Sequence, residues 1–380
     1  MVDDKYKDKS EYEESQRGLE LCTFADDLPH LTEAELREKQ DSFEWYYFDL
    51  DTGVVQIAIR YIIKDTSIHE TKPAVTFELR QKHKEVTKRI KNYSQDEYRK
   101  PVEMDNNEGV IIEIGPNKLE IYKDHEKNIK KYKLILKIDE IDLTLECTPV
   151  HRGFRVSGNR SYVNQKSNDD IYSCAAFPAP RMKGKGTLKL GSDYERKISG
   201  EGYHDHPWGT TSLMYSHKEW HWGRIFTNDF TVFFTKVIAP DDYDGKLDVL
   251  YFAKKDTKEP TLEEDLEITP DDWKTKLMLD MPPSIRFPKK LSIISSKGNL
   301  SLTTKWLETL IIIKVYIRTK VEATIIENNN PLPPGTGWLE YLKIPSNRIL
   351  QKTFMFFTKF DYNSAKWREK KDYEHLLSRD

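Results

Sequence analysis

His204, Asp205 and His206 stand side by side in the run GEGYHDHPWGTT, Gly200–Thr211. Side chains alternate along a strand, so both imidazoles would project to one side and the carboxyl to the other. Three chemistries use such a set. Two same-side imidazoles bind zinc when a third ligand reaches them, and His217 or His221 would have to supply it. Pro207 follows directly, no His-Glu-x-x-His pattern occurs, and Cys22, Cys147 and Cys174 show no ligand spacing, so no metal is expected. An aspartate held among histidines and aromatic rings is instead partly desolvated, which favours its protonated form. Such a carboxyl delivers a proton to a weak base, an alkene included. The third use is structural, a buried His–Asp hydrogen-bond pair at a joint between domains. Spacing alone leaves the acid–base and structural uses both open.

Alkene protonation creates a carbocation, which Trp and Tyr ring faces stabilise inside a closed pocket. Trp45, Tyr46 and Tyr47 in EWYYFD (Glu44–Asp49), Trp208, and Trp220 and Trp222 in EWHWGRIF (Glu219–Phe226) are the natural suppliers. Asp205 is thus the candidate acid, with His204 or His206 assisting it. Glu44, Tyr203 and His221 complete the candidate substrate-binding set, and Tyr203 or His206 would polarise a substrate carbonyl. No cofactor is expected, because GKGTLKLG (Gly184–Gly191) lacks the spacing of a dinucleotide fingerprint and lies in strand-like sequence.

The elements that must position these residues are mostly strands. Period-two alternation runs through 54–63, 74–81, 109–115, 118–124, 229–240, 246–255, 290–296, 300–326 and 352–360. Residues 132–150 read as two strands around an Asp-Glu turn. Polar turns separate these runs by about 8–15 residues, the spacing of sandwiches and barrels. Helices are expected at 30–40, capped by Thr32, at 269–277, with Thr269 as cap and Pro270 at the first helical position, and in the tail 363–380. The fold class is all-β with few short helices.

EWYYFDLDTGVVQIAI from Glu44 is echoed by EWHWGRIFTNDFTVFF from Glu219. Each opens with Glu-Trp, passes an aromatic and a polar turn, and ends in an alternating apolar strand. A repeat at this scale points to two β domains of related build, with His204–His206 near their junction, where ligand clefts often lie.

The totals fit a soluble protein acting on a small molecule. The 60 Lys and Arg nearly balance the 63 Asp and Glu, so no global basic field for nucleic acid exists. The lysines of KNIKKYK (Lys127–Lys133) read as a solvated strand face. Three widely spaced cysteines give no disulfide framework, and the charged N-terminus is no signal peptide. A cytoplasmic location is expected, and contact with a membrane surface and the oligomeric state are left open.

EWYYFD, GEGYHDHPWGTT, EWHWGRIF and GTGWLEYL (Gly335–Leu342), in that order, resemble the carotenoid 1,2-hydratase (hydroxyneurosporene synthase) family and its relatives, which include fungal Diels–Alderases. The resemblance covers about residues 40–345. It implies two tandem lipocalin-like domains, here 16–215 and 216–362, followed by the tail 363–380, with a hydrophobic ligand site in or between them. It implies hydration of an isolated C=C bond of an isoprenoid. Cyclisation of a polyene, or carriage of a lipophilic ligand without chemistry, are the alternatives. Relatives often carry a polar residue where this chain has Pro207.

Overall fold

The computed structural model describes residues 18–344, apart from 66–71, 82–86, 104–108, 125–128, 157–161, 165–170, 193, 246, 258, 277–284 and 314–315. Almost every element is an antiparallel strand, and the strands form two sheets. The main path of the first sheet runs Thr87–Asn92, Ala74–Gln81, Val55–Asp65, Phe43–Asp51, Tyr194–Gly209, Tyr172–Leu190, Ile141–Pro149, Ile129–Ile138, Asn117–Asp124, Gly109–Ile114, Tyr98–Glu103. The second runs Thr261–Glu264, Leu247–Lys254, Phe230–Ile238, Glu219–Phe226, Gly335–Lys343, Tyr316–Glu327, Leu300–Ile313, Ile285–Ile294, Glu267–Lys276. In each path the two end strands are neighbours in sequence, so the sheet curls towards closure. Tyr61 shows the curl directly, donating from inside the first sheet to the carbonyls of Lys118 and Ile135 on strands far along the path.

The two halves share one wiring. Phe43–Asp51 pairs with its successor on one side and with the late strand Tyr194–Gly209 on the other. Glu219–Phe226 likewise pairs with its successor and with the late strand Gly335–Lys343. The sequence echo from Glu44 and Glu219 therefore marks topologically equivalent strands. The architecture is two tandem lipocalin-like β domains.

Alternation fills each half with its own core. Tyr46, Phe48 and Leu50 join Ile57, Ile59, Leu134 and Leu143 inside the first, and Ile225, Val232, Leu291 and Ile325 fill the second. A third cluster, including Tyr203, Trp222, Phe233, Tyr251 and Trp338, lies between the sheets. It is built from the opposite faces of the same strands.

The capped helix forms at Glu33–Glu38, where Thr32 and Glu35 make a capping box. The helix expected at 269–277 does not form, because Glu267–Lys276 is a strand that pairs, among the described residues, only with Ile285–Ile294 at the end of the second path. An edge strand tolerates Pro270, whose missing N–H is harmless on the unpaired side. Trp273 packs against the Phe287–Ile317–Tyr341 cluster. The 300–326 run folds as two strands, Leu300–Ile313 and Tyr316–Glu327. The strand expected at 352–360 and the tail helix at 363–380 lie outside the described residues. Cys22, Cys147 and Cys174 are buried and are not joined in disulfides. No helix among the described residues is long and apolar enough to cross a membrane.

Candidate functional site

Tyr194–Gly209 is the strand that decides the geometry, because its two faces do different work. Tyr203 and Asp205 face the second sheet, whereas His204, His206 and Trp208 face the other way. Register sets Tyr203 opposite Asp49 and Asp205 opposite Tyr47, so these four side chains form one patch on the first sheet. The facing wall is as regular. Trp222 pairs with Glu340, which pairs with Arg318, and Arg224 pairs with Trp338.

These two walls meet through charged groups. Arg224 Nη2 donates to Asp49 Oδ1 at 2.6 Å, both side chains being buried. The Arg224 guanidinium lies 4.3 Å from the Trp338 ring centroid and 5.3 Å from that of Tyr203. Arg318 donates to Glu340 at 2.6 Å and to the Tyr47 hydroxyl at 3.0 Å. Trp222 Nε1 donates to the Tyr203 hydroxyl at 3.3 Å, which in turn donates to Asp205 Oδ2 at 2.9 Å. Three carboxyl groups thus share the joint with two guanidinium groups. Asp49 and Glu340 each hold an arginine, and Asp205 holds none.

Asp205 Oδ1 is shielded from solvent and has no hydrogen-bond partner among the described residues. Burial, then the neighbouring carboxylates of Glu340 and Asp49, push the Asp205 pKa up to about 7, against the pull of the Tyr203 hydroxyl and Arg318. A carboxyl in this state keeps a proton near neutral pH and has one oxygen unoccupied by protein. That is the electronic condition of a general acid. Burial raises the Asp49 pKa as well, against the pull of Arg224, Arg318 and the neighbouring Tyr47 hydroxyl, and Asp49 Oδ2 and Arg224 Nη1 are two further buried polar atoms without a hydrogen-bond partner among the described residues.

His204 and His206 are separated from Asp205 by the strand, which corrects their expected part as its assistants. His204 Nδ1 lies 2.9 Å from the Tyr47 carbonyl and its Nε2 3.0 Å from Asp27 Oδ1. His206 Nδ1 lies 3.1 Å from the Asp26 carbonyl and its Nε2 3.0 Å from Glu44 Oε1. Glu44 also accepts from the backbone N–H groups of His30 and Leu31. Asp27 further receives Lys130 at 2.6 Å and the Tyr132 hydroxyl at 2.8 Å, which with His204 hold its carboxyl well below the usual range despite burial. The histidines therefore clamp the segment Asp26–Leu31 onto the first domain. Lys130, expected on a solvated face, belongs to this clamp.

The remaining candidates divide between these environments. Tyr47 and Trp222 are at the joint. Tyr46 stacks on His206 at 4.0 Å and Trp208 on His30 at 3.7 Å, both on the clamp side. Trp45 packs against Phe43. Trp220 meets His217 and Tyr316 edge-on. His221 turns into the second domain, 3.1 Å from Glu219, with its ring against Tyr341. His217 bonds Ser216 and burial pushes its pKa down to about 3. Among the described residues no group of His, Cys, Asp and Glu is placed to hold a metal.

Asp49, Arg224, Arg318 and Glu340 were not among the sequence candidates. Asp49, Arg224 and Glu340 lie inside the quoted runs EWYYFD, EWHWGRIF and GTGWLEYL, two residues from Tyr47, Trp222 and Trp338. Period two places them on the same faces as those rings, and that was the available signal. Beside the joint a small cavity of about 20 Å³ is lined by Gln56, Glu78, Arg80, Leu310, Arg318 and Trp338 among others. Arg318 and Trp338 thus face both the cavity and the buried charges.

No protein-family model matches the chain, and no curated protein matches its sequence. Solved structures do resemble it. A protein from Nitrosomonas europaea described as an AttH candidate superimposes with a TM-score of 0.50 at 14% identity, covering 84% of this chain and 97% of that one. CghA with Sch210972 gives 0.55 at 10% identity, covering 81% and 90%. A second structure of CghA gives 0.53 at 9% identity over the same shares. Likeness at this identity establishes the fold.

Proposed function

We propose that this protein is an enzyme in which Asp205 acts as general acid on an unsaturated hydrophobic substrate, adding water to an isolated C=C bond of isoprenoid type. One observation carries the reading. Asp205 is the one of three carboxyls that holds no guanidinium, burial pushes its pKa up to about 7, and it has a shielded oxygen without a hydrogen-bond partner among the described residues, between two aromatic walls. The Asp205 O–H bond breaks as the proton forms a C–H bond on one alkene carbon. Water adds to the resulting cation and returns a proton to the Asp205 carboxylate, so the net change is alkene plus water to alcohol. Tyr203, held by Trp222, positions the carboxyl through Oδ2 and leaves Oδ1 for the substrate.

Cyclisation of a polyene is the second reading, favoured by the fold shared with CghA, whose structure holds Sch210972. In that case pocket shape and orientation supply most of the catalysis. Mass spectrometry of the apolar extract of a host making acyclic polyprenoid precursors, with and without the protein, separates the readings. A product heavier by one water, reduced by about 100-fold or more in Asp205→Asn, supports the hydratase. A product of unchanged mass and new retention supports cyclisation. An unaltered extract leaves carriage.

A further inference from the structure

The Arg224–Asp49 pair is a half-finished contact. Nη2 and Oδ1 satisfy one another, whereas Nη1 and Oδ2 are buried with no partner among the described residues. Both side chains are more than nine-tenths buried. Leaving a charged donor and a charged acceptor unsatisfied is costly, and a group that binds both recovers that cost. Such a group must accept from Nη1 and donate to Oδ2. It must also be neutral, because each guanidinium already faces one carboxylate and an anionic head would bring unbalanced charge into the joint. The surrounding surface is aromatic, with Trp338, Trp222, Tyr203 and Phe226 around the guanidinium.

We infer that Arg224 Nη1 and Asp49 Oδ2 together bind a hydroxyl group carried by the ligand, so that the molecule held here is an apolar chain with a neutral alcohol rather than a pure hydrocarbon. This deepens the reading above and rests on it only in taking the joint as the ligand site. An alcohol bound here lays its carbon chain against the tryptophans, on the side of the joint that Asp205 shares.

The test is titration of the full-length protein with farnesol, farnesyl methyl ether and farnesene, read by tryptophan fluorescence. Farnesene is the most apolar, so burial alone would rank it first. The expected result is farnesol binding about tenfold or more tighter than farnesene, with the ether, which accepts but does not donate, between them. Arg224→Lys keeps a cation for Asp49 but loses the second fixed N–H. It is expected to bring farnesol affinity to within about twofold of farnesene affinity in the same variant. Equal affinities, an ether as tight as farnesol, a preference that survives Arg224→Lys, or no saturable farnesol binding each overturn the inference. If Arg224→Lys does not fold, the three-probe comparison on the wild type decides. Turnover that persists in Asp205→Asn alongside a farnesol preference removes the acid and keeps the hydroxyl site, and the converse pattern does the opposite.

Discussion

At the residue scale the behaviour of the joint depends on one proton. Asp205 must be protonated to act as an acid, and its pKa lies at about 7. Turnover is therefore expected to fall about tenfold per pH unit above that value in a kcat/KM profile, while the low residual activity of Asp205→Asn stays flat across the same range. Stability moves in the same direction. A carboxyl whose folded pKa is raised binds its proton better in the folded state, so its favourable contribution is full below the ordinary value of 3.8. It is lost as pH rises through about 7. Asp205→Asn should lose less stability than the wild type between pH 5 and 8, by up to about 1.4 kcal/mol per unit, measured by urea denaturation at each pH. Tyr203→Phe provides the complementary test. The hydroxyl lowers the Asp205 pKa, so its removal should shift the alkaline limb of the rate profile upwards. A limb that stays in place would show that Tyr203 does not hold the carboxyl. Much of this chemistry is legible in the sequence, since Asp205 and Tyr203 are adjacent to the motif's histidines. What the sequence hides is which neighbours matter, because Asp49, Arg318 and Glu340 lie 113 or more residues from Asp205 and Arg318 stands in none of the four motif runs.

At the scale of single elements, alternation explains both what was readable and what was not. Most strands announce themselves by their period, and Ala74–Gln81 matches its expected bounds residue for residue. The exception is Glu267–Lys276, where Thr269 and Pro270 imitate a helix start. Leu266, Ile268 and Pro270 are nevertheless less exposed than Glu267, Thr269 and Asp271, and that period-two signal outweighs the cap. The histidines are the second lesson. Their types suggested catalysis, but the face they occupy is fixed by register and holds carboxylates from residues 26–44. His204→Ala should cost about 3–5 kcal/mol, because it leaves Asp27 buried without one of its partners. It should spare the alkaline limb set by Asp205. A calorimetric scan together with the pH profile checks both, and a shifted limb would tie the clamp to the acid. Gly202 and Gly337 show how tightly the joint strands approach. A Cβ at Gly202 would run into the Asp49 carbonyl, and one at Gly337 into the Arg224 carbonyl.

At the scale of the whole molecule the two halves are tied together in more than one way. The short strand Tyr243–Gly245, from the second half, pairs with Tyr162–Asn164 and so joins the first sheet. Arg181 of the first sheet donates to the carbonyls of Thr227 and Phe230 in the second half. We propose that residues 16–215 and 216–362 are separate domains by build but unfold together. A single calorimetric transition is expected, and two resolved transitions would count against it. A double-mutant cycle on Asp49 and Arg224 should give a coupling of about 1–3 kcal/mol, since the pair is buried and bridges the halves.

One backbone, Tyr194–Gly209, presents the clamp on one face and the acid on the other. Its history is therefore constrained in an unusual way. Inserting or deleting a single residue upstream within this strand would exchange the faces, driving His204 and His206 into the joint and turning Asp205 towards Asp27 and Glu44. Changes of length are closed to this segment, and only replacement at fixed positions leaves both faces intact. Natural variation here should therefore accumulate as substitutions, with gaps confined to the turns at either end of the strand.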